Sequence, residues 1–584
     1  MNRLPWWLGA LLAVALIGIG GWLTLRPMAS LAALLLLIVI GLFVAGLAEL
    51  LAPAADGAEE DARRRRFRLL RGAAYIIGAI AVVAFTGLGV RFVIIAVGIS
   101  LIVGGVLDLL EARESRGVER WNDALGGVAS VAFGALALLW PDVSVILIGV
   151  FFGIRLILLG GRLFGRSVAR ARGRGDDRGD ASRTSGWRPW LRLAGNALAV
   201  LLAVALVLTS FVIRRGAPEP DEFYAAPADV PAEPGRLLRA EPYTREIPQG
   251  ASAWRILYTT TRDEGQPAVA SGLVVVPTEQ ARDRIPVIAW AHGTTGAAPG
   301  CAPTVIDPFE AGAFFNIDRV LENGWAFVAT DYVGLGTESP HPYLIGQGEG
   351  RSVLDSVRAA RELTEVDLGE QTVVWGHSQG GHAALWTGML APGYAPELQI
   401  EGVAALAPAS NLPGLIDNLG NVTGGELFAS FVIDSYAAIY DDVTYAEYVR
   451  PGAQPIVRQM SQRCLADIRS TLVSVGTIMA LDKTIWNGDP NRGALAQRLE
   501  ENTPSGPIEA PLLIGQGGAD QLVVPSAQDA FVEERCADGQ QIDYRVYEGR
   551  DHVPLVEPDS PAIPELVEWT QARLQGEPAE NTCG

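Results

Sequence analysis

Cysteine is missing from the first 300 residues of this 584-residue chain. The four that occur, Cys301, Cys464, Cys536 and Cys583, all lie in the second half. Disulfides are therefore confined there, and an even count suits two bridges, with three pairings open. Lysine is nearly absent too: Lys483 is the only one among 46 basic residues. That bias toward arginine reads as coding bias rather than as a functional signal. Histidine is scarce, with five in all, so any reaction needing an imidazole base has few candidates to weigh.

Each half is short of charge of one sign. Residues 1–215 hold 24 Arg against 14 Asp+Glu, a net of +10. The other 22 basic and 51 acidic residues leave 216–584 at −29. So acidic a half argues against nucleic acid or another anionic surface as its partner. Mean hydropathy is nevertheless +0.23, which suggests a membrane part joined to a soluble part.

Apolar runs near 6–25, 31–52, 72–90, 93–110, 124–140 and 143–161, with a seventh from about 193 to 213, are each about long enough to cross a bilayer. Their number and spacing exclude a simple cleaved signal peptide. Arginines cluster between alternate runs: Arg63 to Arg66, Arg68 and Arg71, then Arg113, Arg116 and Arg120, then eight from Arg162 to Arg188. The positive-inside rule puts these loops and the N-terminus in the cytoplasm and everything after about residue 214 outside. The expectation is an all-α transmembrane bundle of seven spans in a multi-pass plasma membrane protein, with the lipid bilayer as a partner.

The first six runs repeat. Gly41 and Ala48 correspond to Gly98 and Gly105, then to Gly153 and Gly160, at offsets of 57 and 55 residues. Small residues seven apart share a helix face and permit close packing. Residues 1–165, read as three hairpin repeats, resemble the short-repeat, six-span membrane proteins of the HdeD-like family. Arg155, inside the sixth run, is expected to snorkel or to pair with Glu49 or Asp108. Residues 166–190 read as a cytoplasmic linker, 191–214 as the seventh span, and 215–250 as a Pro-rich linker.

From 251 to 584 the pattern changes. Strand-like runs at 254–261, 269–277, 286–291, 325–330, 371–375, 401–407, 511–515 and 542–547 alternate, in the later part, with helical stretches near 308–322, 351–363, 380–391, 525–535 and 560–574. This implies an α/β layer fold with a mostly parallel sheet, whose active site gathers beyond the carboxyl ends of the strands. Residues 411–505 interrupt the alternation and are expected to form a cap.

The alternation also carries a chemical signal. Gly376-His377-Ser378-Gln379-Gly380 runs from a strand into a helix, the form of a nucleophile elbow in which Ser378 is the nucleophile. The pentapeptide alone recurs by chance in glycine-rich chains, so its weight depends on partners elsewhere. A serine hydroxyl needs a histidine to take its proton and a carboxylate to orient that histidine. His377 and His382 flank the nucleophile too closely, His292 ends an early strand, and His341 sits between prolines. His552, just after the last strand, remains. Asp520, in the turn after the preceding strand, is the expected acid, with Asp551 its competitor. The order Ser378, Asp520, His552 is that of α/β hydrolases. An oxyanion hole would use the backbone N–H groups of Gln379 and Thr294, with Gly293 supporting the loop.

Several stretches fall in a joint order: Phe223-Tyr224 with Pro234-Gly235, Ala291 to Gly296, Cys301-Ala302-Pro303, Asp331 to Gly336, His341-Pro342-Tyr343, Leu354 to Ala359, and the elbow. On these, residues 220–584 are similar to the secretory lipase family of α/β hydrolases. The resemblance implies hydrolysis of carboxylic esters without cofactor or metal and a cap that shapes an acyl tunnel, while tethering beside the bilayer would favour lipid esters as substrates. It also implies bridges Cys301–Cys464 and Cys536–Cys583. Two rival readings stand beside it: acyl transfer to envelope lipids or sugars, and a stress-response membrane protein whose second half only binds.

Overall fold

The computed structural model describes residues 6–25, scattered positions between 40 and 47, residues 62–84, 90–139 apart from 116, single positions 157 and 164, and scattered positions between 190 and 204. It further describes 217–584 apart from 263–264, 279–283, 307–312, 452 and 466–483. The chain divides into two compact units, residues 1–214 and residues 215–478 with 484–584.

The first unit is helical: α1 (Trp6–Leu25), α2 (Ala62–Ala84), α3 (Val90–Ala112) and α4 (Val118–Leu139). Helices α3 and α4 form a hairpin whose backbones touch. A Cβ on Gly98 would fall 3.0 Å from the carbonyl oxygen of Gly134, and one on Gly105 would fall 2.6 Å from that of Gly127. Both pairs are spaced by seven residues, so each helix presents one small-residue stripe to the other. Arg71 of α2 pairs with Asp108 and Glu111 of α3. Asp108 therefore has its partner in α2, while Arg155 lies outside the described residues.

The expected seven-span bundle, and with it the multi-pass plasma membrane placement, is corrected here. Among the described residues no helix is long and apolar enough to cross a membrane. Three of the helices take charges into the same element as the apolar run. Helix α2 opens on Arg63 to Arg66, Arg68 and Arg71; α3 carries Arg91, Asp108 and Glu111; α4 carries Glu119, Arg120 and Asp123. The second, sixth and seventh runs fall mostly outside the described residues.

The second unit is built on a nine-stranded sheet of order β1-β2-β3-β5-β4-β6-β7-β8-β9. Its strands are β1 (Leu237–Pro242), β2 (Ala251–Thr261), β3 (Pro267–Pro277), β4 (Ile285–Ala291), β5 (Ala326–Thr330), β6 (Leu368–His377), β7 (Gln399–Leu406), β8 (Leu512–Gly517) and β9 (Asp543–Tyr547). The first three are antiparallel to their neighbours, and all pairings from β5 through β9 are parallel. Parallel strands are covered on both faces, which is why β4 is a continuous apolar run and β5 and β8 are buried along their whole length. Strand β1 is absent from the sequence reading. It lies at the sheet edge, and its Arg239, Glu241 and Pro242 break the apolar signal, as edge strands commonly do.

Helices α5 (Ile317–Glu322), α6 (Gly346–Ala360), α7 (Gln379–Tyr394), α13 (Pro525–Ala537) and α14 (Ala562–Leu574) follow strands in alternation. Between β7 and β8 come α8 (Leu412–Leu419), α9 (Gly425–Ile439), α10 (Tyr445–Tyr448), α11 (Gln454–Ser461) and α12 (Gly493–Asn502), a helical insert where the cap is expected. Two buried clusters fill the space on the sheet's faces, one including Val287, Ala289, Val374 and Leu354, the other Ile288, Trp290, Trp375 and Trp569. Odd and even residues of β4 thus enter different clusters, the period-two division of a strand buried on both sides.

Candidate active site

Strand β6 ends at His377, and Ser378 follows it with φ 59° and ψ −120° before α7 begins. No β-carbon-bearing residue adopts that conformation cheaply, and close packing on both sides holds it. A Cβ at Gly376 would lie 2.0 Å from the carbonyl oxygen of Gly380, and one at Gly380 would lie 1.9 Å from that of Ala291. Both elbow glycines are therefore sterically required, the first by the helix and the second by β4.

The carboxyl ends of other parallel strands supply the other groups. Asp520 follows β8 and His552 follows β9. His552 Nε2 lies 2.8 Å from Ser378 Oγ, and its Nδ1 lies 2.7 Å from Asp520 Oδ2. Asp520 is itself fixed, since its Oδ1 accepts the N–H groups of Leu522 and Val523 at 2.9 Å each. An Nδ1–H donated to that carboxylate leaves Nε2 as acceptor for the serine hydroxyl. Asp551 faces elsewhere, because its carboxylate accepts the backbone N–H groups of His552 and Gln521.

The loop after β4 passes beside the serine. A Cβ on Gly293 would meet Ser378 Cβ at 3.7 Å, and Thr294 Oγ1 lies 2.9 Å from Tyr343 OH. Gln379 opens α7, so its N–H has no carbonyl within the helix to bond. A narrow cavity is lined by Ser378 and Gln379 together with Tyr343 and cap residues Leu415, Leu419, Phe428 and Val432. The mixture of one hydroxyl nucleophile with an apolar wall suits an acyl chain more than a polar group.

The remaining histidines are buried and occupied. His292 lies 2.6 Å from the Gly293 carbonyl, and burial pushes its ring down to about 4. His341 Nδ1 bonds the Val333 carbonyl, and burial pushes it down to about 3. His382 bonds Glu349 and the carbonyl of Asn502. His377 Nε2 lies 3.0 Å from the carbonyl of His552 itself. Sequence reasoning missed Glu349, Tyr343 and this contact of His377. Tyr343 belongs to the His341-Pro342-Tyr343 stretch, but a lone Glu in Gly348-Glu349-Gly350 carries no local signal.

Two disulfides join Cys301 to Cys464 and Cys536 to Cys583. The first links the loop after β4 to the cap, where Gly296 also bridges Cys464 and Leu465 N–H bonds the Thr295 carbonyl at 2.8 Å.

Comparison with known proteins adds the family. Residues 311–582 match the model of the secretory lipase family, and residues 70–138 and 125–178 match a short repeat of unknown function. Lipase A of Arthroderma benhamiae is 26% identical over 403 residues, covering 63% of this chain and 81% of that protein. A secreted triacylglycerol lipase of Malassezia globosa is 24% identical over 412 residues, covering 66% of this chain and 88% of that protein. The crystal structure of Candida antarctica lipase A superposes with a TM-score of 0.54 at 20% identity, over 63% of this chain and 89% of that one. That likeness carries the α/β-hydrolase fold. The matched relatives are of a secretory family, which gives the multi-pass placement no support. Residues 311–582 thus carry the pattern of the secretory lipases, and the protein is a carboxylic ester hydrolase of the lipase and esterase type.

Proposed function

We propose that the protein cleaves lipid esters through an acyl-enzyme formed on Ser378. His552 takes the hydroxyl proton as Ser378 Oγ attacks the acyl carbon, and returns it to the leaving alcohol. Asp520 holds the ring with Nδ1 protonated and stabilises the imidazolium. The developing oxyanion is received by the N–H groups of Gln379 and Thr294. Water, activated by the same histidine, then attacks the acyl-enzyme and the fatty acid leaves.

The observation that carries this reading is the single imidazole spanning 2.8 Å to the serine and 2.7 Å to the carboxylate, across 174 and 32 residues of sequence. The apolar cap wall supports a long acyl group, and the relatives' names point to triacylglycerols. The test is hydrolysis of p-nitrophenyl esters of graded chain length by the wild type and Ser378→Ala. The expected result is loss of roughly 10⁴-fold or more in kcat for the variant. Activity retained in Ser378→Ala would overturn the reading.

A further inference from the structure

Behind the elbow lies a polar network that the proposed mechanism does not use. Glu349 and His382 are fully buried, Gln379 is 1% exposed, and Asn502 of the cap is 4% exposed. Glu349 Oε1 accepts hydrogen bonds from Gln379 Nε2 at 2.6 Å and from the Leu344 N–H at 3.0 Å. Its Oε2 lies 3.0 Å from His382 Nδ1, and His382 Nε2 lies 2.8 Å from the carbonyl oxygen of Asn502. Gln379 Nε2 also lies 3.1 Å from His341 Nε2.

The chemistry of the partners fixes the hydrogens. A carbonyl can only accept, so His382 Nε2 carries a proton and donates it to Asn502. The Nδ1 contact with Glu349 must then hold a proton as well, either on the ring or on the carboxyl, because two bare acceptors at 3.0 Å would repel. His341 Nδ1 donates to the Val333 carbonyl, which leaves its Nε2 to accept from Gln379. Both hydrogens of the Gln379 amide are thereby taken, one by Glu349 and one by His341. The side chain of the residue that follows the nucleophile is locked in one orientation, and the lock runs on to the last residue of cap helix α12.

We infer that Glu349, acting with His382, is a positioning residue that holds the backbone N–H of Gln379 toward the oxyanion and ties it to the cap. The inference rests on the reading of Ser378 and Gln379 given above. The physical requirement is plain: Ser378 has a positive φ, and a strained turn keeps its geometry only when its neighbours over-determine it. A hydrogen bond to a buried carboxyl group is among the strongest anchors available for that purpose.

The experiment compares Glu349→Ala, Glu349→Gln and Gln379→Met in the full chain. For each, kcat and KM on p-nitrophenyl butyrate, the rate of inactivation by a fluorophosphonate, and the thermal midpoint are measured, with Ser378→Ala as the reference. Glu349→Ala is expected to lower kcat and the inactivation rate together by about tenfold to a hundredfold while KM moves less than about threefold. Glu349→Gln is expected to recover most of that loss, because its carboxamide can accept from Gln379 and Leu344 and donate to His382 Nδ1. If Glu349→Ala does not fold, Gln379→Met, which removes only the anchored side chain, is expected to show the same fall in kcat. A folded Glu349→Ala or Gln379→Met with wild-type kcat overturns the inference, and so does a Glu349→Gln no better than Glu349→Ala. Activity surviving in Ser378→Ala would instead sink the underlying reading of the site, whatever the Glu349 variants do.

Discussion

The imidazole rings of His377 and His552 lie with their centroids 4.8 Å apart, and His377 Nε2 lies 3.0 Å from the His552 carbonyl. Since a carbonyl only accepts, His377 donates there and pins the backbone of the residue that bridges Ser378 and Asp520. Burial pushes its ring down to about 3, with the charge of His552 acting in the same direction. It therefore stays neutral beside a ring that becomes cationic in the proposed acyl transfer. Replacing it by Leu removes the donor and is expected to lower kcat/KM about tenfold. Gln, which can still donate, is expected to lose less. Steady-state kinetics on one ester checks both.

The two aspartates near His552 are expected to differ sharply. Asp520→Asn leaves the geometry but favours the wrong tautomer, so kcat is expected to fall about 10³- to 10⁴-fold. Asp551→Asn keeps an oxygen for the His552 and Gln521 N–H groups and is expected to lose less than about tenfold. Equal losses in the two variants would contradict the assignment of Asp520 as the orienting acid.

The cap wall sets a third expectation. Phe428 lines the cavity that holds Ser378 and Gln379. Phe428→Ala opens room beside Leu419 and Val432. The ratio of kcat/KM for p-nitrophenyl decanoate over butyrate is expected to rise by about tenfold, the discrimination that one methylene carries in an apolar pocket. An unchanged ratio would mean that the acyl chain runs elsewhere.

Acid sensitivity follows from the buried rings. His292, His341 and His377 are pushed by burial to about 4, 3 and 3, all below the usual 6.5. The unfolded chain therefore binds more protons within that window, and the stability these rings contribute is complete above about 6.5 and lost as pH falls through it. Asp331 works in the opposite sense. Burial pushes its carboxyl up to about 6, so the folded state gains from its protonation as pH falls below that value. Glu349 and Asp355 are pushed the same way. The clean test is thus a difference. Unfolding free energy of His341→Gln, measured by denaturant titration between pH 6 and 4, is expected to fall less steeply than that of the wild type, by up to about 1.4 kcal/mol per pH unit.

How far the sequence could be read follows from where each signal resides. Strands β4 and β6 announce themselves because burial on both faces demands unbroken apolar residues. Ser378 does so because only glycine fits at 376 and 380. Asp520 and His552 could be singled out by their places after β8 and β9, since a parallel sheet gathers those ends together. Glu349 could not, because its side-chain partners Gln379 and His382 lie 30 and 33 residues away with no local pattern to join them. The apolar runs of the first unit located helices without always fixing their ends: the run 6–25 coincides with α1, whereas the run 72–90 begins well inside α2. In α2 the helix begins among the arginines.

The bond between Cys301 and Cys464, with the strand-like bridge from Gly296 beside it, has a mechanical consequence. One margin of the cap is stapled to the loop that carries Thr294, so the insert cannot swing away as a rigid door. Any widening of the acyl cavity must then break contacts of α8 and α9, where Asn418 bonds the carbonyls of Gln521 and Leu522 and Ser435 bonds Tyr343 and His341. An incoming ester would then pass asymmetrically, under those helices, while the loop that meets its carbonyl oxygen stays put.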